Sequence, residues 1–240
     1  MDKAIQKMIR GFRHFRKTYF SDEPALYDQL KHGQMPSTLM IACCDSRVDP
    51  ALITKSSPGD MFVIRNVANL VPPYKPDSSF HGVSSAIEYA VRSLEVRHII
   101  VLGHSNCGGI RALMSDDWEH HDSEFLDRWL CLAQSARNEV VGTLGDQPRE
   151  TQLRACEESS ILLSMENLLT FPWIRERADA GKIEIHGWYF NMNNGEMYYY
   201  DTEQERFLLL ADRFRIPPGV LVADGFNRCV LLHFPGDEHL

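Results

Sequence analysis

Two short apolar runs, Thr38-Leu39-Met40-Ile41-Ala42 and His98-Ile99-Ile100-Val101-Leu102, each end at residues that ligate soft metals, and this pairing constrains the fold more than any other feature. Four apolar residues in succession, Leu39 to Ala42 and Ile99 to Leu102, read as a strand buried on both faces, the pattern of a parallel sheet covered by helices. The first run is followed by Cys43-Cys44-Asp45-Ser46-Arg47 and the second by Gly103-His104-Ser105-Asn106-Cys107-Gly108-Gly109. Open α/β sheets form their binding crevices outside the carboxyl ends of strands, so two such ends can present side chains to one point. Cys43, His104 and Cys107 then make a Cys2His set. Three protein ligands leave a fourth position on Zn2+ open for water or a carboxylate, as a catalytic site requires. Asp45 lies two residues from the first ligand, and the spacing predicts an enzyme that activates water on zinc.

The surrounding pattern supports such a sheet. Met61-Phe62-Val63-Ile64-Arg65 reads as another strand, and Pro72, Pro73 and Pro76 mark a loop after it. Ile87, Ala90, Val91 and Leu94 follow the helical period from Val83 to Leu94 and lead into the strand before His104, a βαβ unit. Helix is expected in the acidic, tryptophan-containing stretch from Asp116 to Trp129 and again from about Glu157 to Leu169. Lys182 to Phe190 and Glu196 to Tyr200 form a predicted hairpin across Asn193-Asn194-Gly195. At the start of the chain, Ile5, Met8, Ile9, Phe12 and Phe15 share one face with Lys3, Lys7, Arg10, Arg13 and Lys17 interleaved. This basic amphipathic helix should dock on its own domain or on a partner subunit. A loop is expected between it and the first strand, with Pro36 just before that strand. The expected fold class is α/β: a central, mainly parallel β-sheet flanked by helices, with an N-terminal helical arm. We expect one domain, with the arm over 1–35, the core over 36–205 and a C-terminal extension over 206–240.

Composition narrows the functional classes. A chain of 240 residues with 44% hydrophobic content can bury a sizeable core. Its net charge of −8, from 25 basic against 33 acidic residues, argues against broad nucleic-acid binding. Met1 to Arg10 carries no continuous apolar stretch, so no secretory signal is expected, and no membrane-spanning segment is legible. Six scattered cysteines fit metal or free-thiol roles in a reducing cytoplasm rather than a disulfide framework.

Individual residues acquire expected roles from this chemistry. Two thiolates and one imidazole cancel the charge of Zn2+, which predicts activity rising toward alkaline pH. Asp45 is placed to accept a hydrogen bond from water at the site, and Arg47 to hold Asp45 ionised and oriented. Gly108 and Gly109 allow close backbone approach, and Ser46 serves turn chemistry or a loop hydrogen bond. Cys44 competes with Cys43, but strand alternation sends neighbours to opposite faces, so Cys44 is assigned to packing. Cys131, Cys156 and Cys229 have no metal-like spacing and are expected to be structural. His120 and His121 are expected in a solvated loop, and His186 in the core or as a hydrogen-bond partner.

Cys43-x-Asp45-Ser46-Arg47 followed by His104-x-x-Cys107-Gly108-Gly109 resembles the β-class carbonic anhydrases, in their plant-type-like, bacterial form. So do the segments Pro58 to Asn69, Ala86 to Val91, Glu166 to Leu169 and His186 to Tyr189, in the same order along the chain. The resemblance covers about Gln34 to Asp201. It implies a mainly parallel sheet, a dimer whose N-terminal helices embrace the neighbour, often higher homo-oligomers, and reversible hydration of carbon dioxide to bicarbonate and a proton. It makes Cys43, His104 and Cys107 the zinc ligands, Asp45 with Arg47 the catalytic dyad, and Asp45 a fourth ligand in a closed state. The resemblance further places Gln34, Phe62, Val67 and Gly109 at or beside the substrate pocket. Phe80 stands, with His81, where plant-type members commonly have a pocket tyrosine. Met40 replaces the tryptophan of bicarbonate-regulated members, so the open state with Asp45 paired to Arg47 is expected. The alternatives are hydrolysis of a related heterocumulene such as carbonyl sulfide or carbon disulfide, a non-catalytic zinc site closed by Asp45, and a cysteine hydrolase using Cys107 and His104. The last leaves Cys43 and Asp45 without a role.

Overall fold

The computed structural model describes residues 2–116, 123–213, 222–223 and 229–230. Its centre is a six-stranded sheet of order β2-β1-β3-β4-β5-β6, formed by β1 (Thr38–Cys43), β2 (Met61–Asn66), β3 (His98–His104), β4 (Glu184–Asn191), β5 (Glu196–Asp201) and β6 (Arg206–Leu209). The first four strands pair in parallel and the last two antiparallel. The fold is therefore α/β with a mainly parallel sheet. Val222–Ala223 and Cys229–Val230 form a separate two-residue ladder.

The apolar runs became the two central strands because their side chains meet packed neighbours on both faces. Leu39, Ile41, Ile99 and Val101 face one layer with Ile87, Val91, Ile161 and Leu168. That layer comes from α4 (Gly82–Glu88) with the wider turn Tyr89–Ser93, and from α8 (Arg149–Leu168). Met40, Ala42, Ile100 and Leu102 face the opposite layer, closed by Val48, Trp188 and Phe190. Leu39 to Ala42 have no exposed surface at all, so β1 contributes on both faces at about 25 cal/mol per Å2 of apolar area. Among α3 (Pro50–Thr54) and its neighbours, local chemistry is explicit. Asp49 caps α3 by accepting from the Ala51 and Leu52 amides, and Pro50 occupies the first helical position.

Several boundaries differ from the sequence expectation. The stretch between the arm α1 (Lys3–Lys17) and β1 is not a plain loop but contains α2 (Ala25–Leu30), where Tyr27 packs against Phe15, Tyr19 and Phe20. Helix in the Asp116 to Trp129 stretch is confined to α6 (Leu126–Leu130) among the described residues, while His120 and His121 lie outside them. α8 starts at Arg149, eight residues before the expected Glu157, and α7 (Gln134–Leu144) precedes it. The signal at Pro148-Arg149-Glu150, a proline before the first turn and an acid within it, marks that start. Cys44 is exposed rather than packed, because β1 ends at Cys43 and alternation no longer applies one residue later. Cys131 is exposed and Cys156 buried; the side chain of Cys229 lies outside the described residues.

Candidate metal centre

The parallel register Thr38↔His98 brings the carboxyl ends of β1 and β3 level, so Cys43 closes one strand beside His104 closing the other. Cys107 follows three residues on, at the entry to α5 (Gly108–Leu113). The donor atoms of Cys43, His104 and Cys107 all lie within 4.8 Å of one another, and all three residues are buried. The two sulfurs stand 4.0 Å apart. Two thiolates on a tetrahedral zinc, each about 2.3 Å from it, stand roughly 3.8 Å apart. The His104 Nδ1 is 2.9 Å from the Ser105 carbonyl, to which it donates as an N–H, while its Nε2 is buried without a hydrogen-bond partner. An orphaned imidazole nitrogen facing two thiols costs free energy unless a cation accepts its lone pair. The residues fit a zinc ion.

Charge at the site follows the same logic. The hydrogen bond from the Cys107 thiol lowers the Cys43 thiol to about 4, against the opposing effect of burial, with His104 and the Asp45 and Ala68 amides adding to the lowering. Cys107 moves the other way, pushed far up by its hydrogen bond to the Cys43 thiolate and then by burial. Of the two thiols Cys43 is the one held low and Cys107 the one held high, and a dication is what would draw off the proton of the second. Cys156 belongs to the same apolar cluster, but burial pushes its thiol up to about 12, and it contributes packing.

Asp45 and Arg47 sit at the mouth. Arg47 donates through Nε to Asp45 Oδ1 at 3.0 Å and through Nη2 to Oδ2 at 2.7 Å, and its own amide donates to Oδ1 at 2.9 Å. This fork holds the Asp45 carboxyl far below the usual carboxylate range. Arg47 is in turn tied to the Asn106 carbonyl at 3.1 Å, so the dyad spans both strand ends. Asn106 reaches that position in the left-handed region, at φ 59°, which asparagine tolerates better than most residues.

Other residues of the site were not evident from motif spacing. Glu157 of α8 is buried at 4% exposure, accepts from the Cys107 amide at 3.0 Å and from the Tyr189 hydroxyl at 2.9 Å, and burial raises its carboxyl. Arg65 of β2 donates to the Cys43, Asp45 and Val48 carbonyls, clamping the loop after β1. Ser105 ties the end of β3 to β4, its amide donating to the Phe190 carbonyl and its hydroxyl accepting from the Met192 amide. A buried glutamate on a helix was the one available signal for Glu157, visible only once the face of α8 is known.

The remaining expected pocket residues are spread more widely. A Cβ on Gly109 would stand 2.7 Å from Val67 Cγ1, so this glycine permits the contact of α5 with the turn after β2. The Val67 carbonyl accepts from the Trp129 indole at 2.8 Å, at the head of an apolar groove that also contains Phe80 and Phe125. Phe80 is fully exposed in the single chain. Phe62 packs at 5.7 Å from the Tyr89 ring, and Gln34 is exposed ahead of β1. Met40 is wholly buried within the sheet.

The carbonic anhydrase family profile matches residues 38–197, which include every one of these metal-competent and dyad residues. The carbonic anhydrase of Synechocystis sp. is 39% identical over 197 residues, 82% of this chain and 71% of its own length. β carbonic anhydrase 3 of Arabidopsis thaliana is 37% identical over 203 residues, 83% of this chain and 78% of its own. The solved β-carbonic anhydrase CcaA superposes with a TM-score of 0.82 at 37% identity, covering 87% of this chain and 92% of that one. One of two tetrameric β-carbonic anhydrases from Sordaria macrospora follows with a TM-score of 0.74 at 28% identity, covering 82% and 97%. The chain belongs to the β-class carbonic anhydrases, enzymes whose general reaction is hydration of carbon dioxide.

Proposed function

We propose that this chain catalyses the zinc-dependent, reversible hydration of carbon dioxide to bicarbonate and a proton, with Cys43, His104 and Cys107 holding the ion. The observation that carries this is the buried convergence of three soft donors around an unpartnered His104 nitrogen, next to a carboxylate locked by Arg47. A zinc ion held there would supply Lewis acidity that acidifies water, only moderately because two thiolates offset its charge, so activity should climb toward alkaline pH. Asp45 accepts a hydrogen bond from the attacking water and thereby aims its lone pair at carbon. Arg47 keeps Asp45 ionised and turned toward the opening rather than inward, which is why a closed, purely structural site is the poorer account. Val67 and Gly109, packed against one another, form an apolar wall, and Phe62, Phe80 and Gln34 complete the pocket when a second subunit covers the groove.

That second subunit follows from the arm. Met8 and Phe12 of α1 are 69% and 63% exposed, too much apolar surface for a free helix. The Sordaria macrospora relative is tetrameric, and a homodimer or higher homo-oligomer is the assembly proposed here. Deleting the residues before Phe20 should weaken the dimer and lower activity; a truncated protein that sediments like the intact one would rule the assembly role out. No described helix is long and apolar enough to cross a membrane, and a cytoplasmic setting suits the free thiols. The central test is zinc content together with stopped-flow carbon dioxide hydration on purified protein. About one zinc per chain on the Cys43, His104, Cys107 set and rapid hydration are expected; an active protein without zinc would defeat the proposal.

A further inference from the structure

At the amino end of the sheet, on the side of the strands away from the dyad, three more ligand-type side chains converge. His98 opens β3, and the parallel register places it beside Glu184, with His186 two residues further along β4 on the same face. The donor atoms of all three lie within 4.8 Å of one another. His98 Nδ1 stands 3.3 Å from His186 Nε2, and each of these nitrogens stands 3.6 Å from Glu184 Oε2. The edges of a tetrahedron around a zinc-like ion with bonds of about 2.0–2.1 Å measure roughly 3.3–3.5 Å. The triangle formed by the two nitrogens and the oxygen is therefore close to one face of such a tetrahedron. The strand register itself brings the carboxylate equally close to both ring nitrogens, so the three donors are already gathered around one point by the backbone.

We propose that His98, His186 and Glu184 form a second metal site, selective for a divalent first-row ion that favours imidazole, such as Zn2+. Two nitrogens and one carboxylate oxygen suit zinc or copper(II) and poorly suit magnesium or calcium, which prefer all-oxygen shells. The ligands start from two neighbouring central strands, so the backbone holds them in place before any ion arrives. Side-chain exposures of 39% for His98, 24% for His186 and 67% for Glu184 leave the site reachable from solvent, with water as the fourth ligand. His98 and His104 are the first and last residues of β3, so the two sites lie roughly 20 Å apart at about 3.3 Å per residue. Nothing in the second site depends on the first. Its ion would tie β3 to β4 at the amino end, where the strands carry no other cross-strand ligand cluster among the described residues.

Zinc titration of the metal-free full chain, followed by calorimetry and by metal analysis after gel filtration, tests this. Wild type should take up two equivalents. His98→Gln and His186→Gln should each keep the first equivalent and bind the second at least about tenfold more weakly. The exposed Glu184→Gln change, which carries little folding risk, should weaken the second equivalent alone. A Cys107→Ser chain should do the reverse, losing the tight equivalent and keeping the weaker one, so failure at one site is distinguishable from failure at the other. Uptake of a single equivalent by wild type up to about 100 μM free Zn2+ would overturn the proposal. So would a second equivalent unchanged in the histidine variants, which would place that ion elsewhere on the surface.

Discussion

The two ends of β3 carry similar side chains to opposite effect. At the carboxyl end His104 is 1% exposed, its neighbours are two buried thiols, and one ring nitrogen has no partner. At the amino end His98 is far more exposed, and its ring nitrogen already meets His186 and Glu184. Burial decides the difference. Desolvated donors at the carboxyl end cannot be satisfied by water, so an ion bound there gains the full cost of leaving them bare. Donors at the amino end are half-hydrated, and an ion there must compete with solvent. The lesson is that a ligand triangle is only as demanding as its surroundings are dry.

The largest effects should come from the dry end. Cys107→Ser removes a thiolate and leaves a buried hydroxyl beside Cys43; zinc should be lost and hydration should fall by at least about 10^3-fold. Full zinc content in that variant would break the contrast between the two ends at its foundation. Asp45→Asn comes next. The amide cannot carry the charge that Arg47 pairs with, so zinc should remain while hydration drops on the order of 10^2-fold, in the range usual for loss of a proton-handling group. An unchanged rate, measured by stopped flow on zinc-replete protein, would reduce Asp45 to a spectator of Arg47.

The two ends also differ in how far they were legible in the sequence. Cys43, Asp45, Arg47, His104 and Cys107 were readable because each follows an apolar strand run, and parallel pairing then brings the strand ends together with no further information. Glu157 was not. It stands fifty residues after Cys107, within a helix whose buried face includes Ser160, Ser164 and Cys156 beside Ile161 and Leu168, so no clean apolar stripe marks which side faces the sheet. Cys44 was misplaced for a related reason, since alternation was extended one residue beyond the end of β1. His98 and His186 carry no spacing signal, because their contact depends on the β3 to β4 register across more than eighty residues. Pairing that depends on register between distant segments is invisible until the topology is known.

The smaller effects compare two glutamates, one at each end. Glu157 accepts two hydrogen bonds in a buried setting, so Glu157→Gln must turn an amide N–H toward either the Cys107 amide or the Tyr189 hydroxyl. Turning it toward the Tyr189 hydroxyl, which can accept, keeps the Cys107 amide paired, so we expect a loss of about 1–3 kcal/mol in unfolding free energy from the hydroxyl proton left without an acceptor, and little change in zinc affinity. Glu184 is 67% exposed, and its contacts at 3.6 Å are too long for strong hydrogen bonds. In the metal-free chain Glu184→Gln should therefore shift stability by less than about 0.5 kcal/mol, the usual range for a surface change. Denaturant titration of both variants under the same metal-free conditions reads the difference directly. If the Glu184 variant loses as much stability as the Glu157 variant, the amino end is as tightly built as the carboxyl end, and burial is not what separates them.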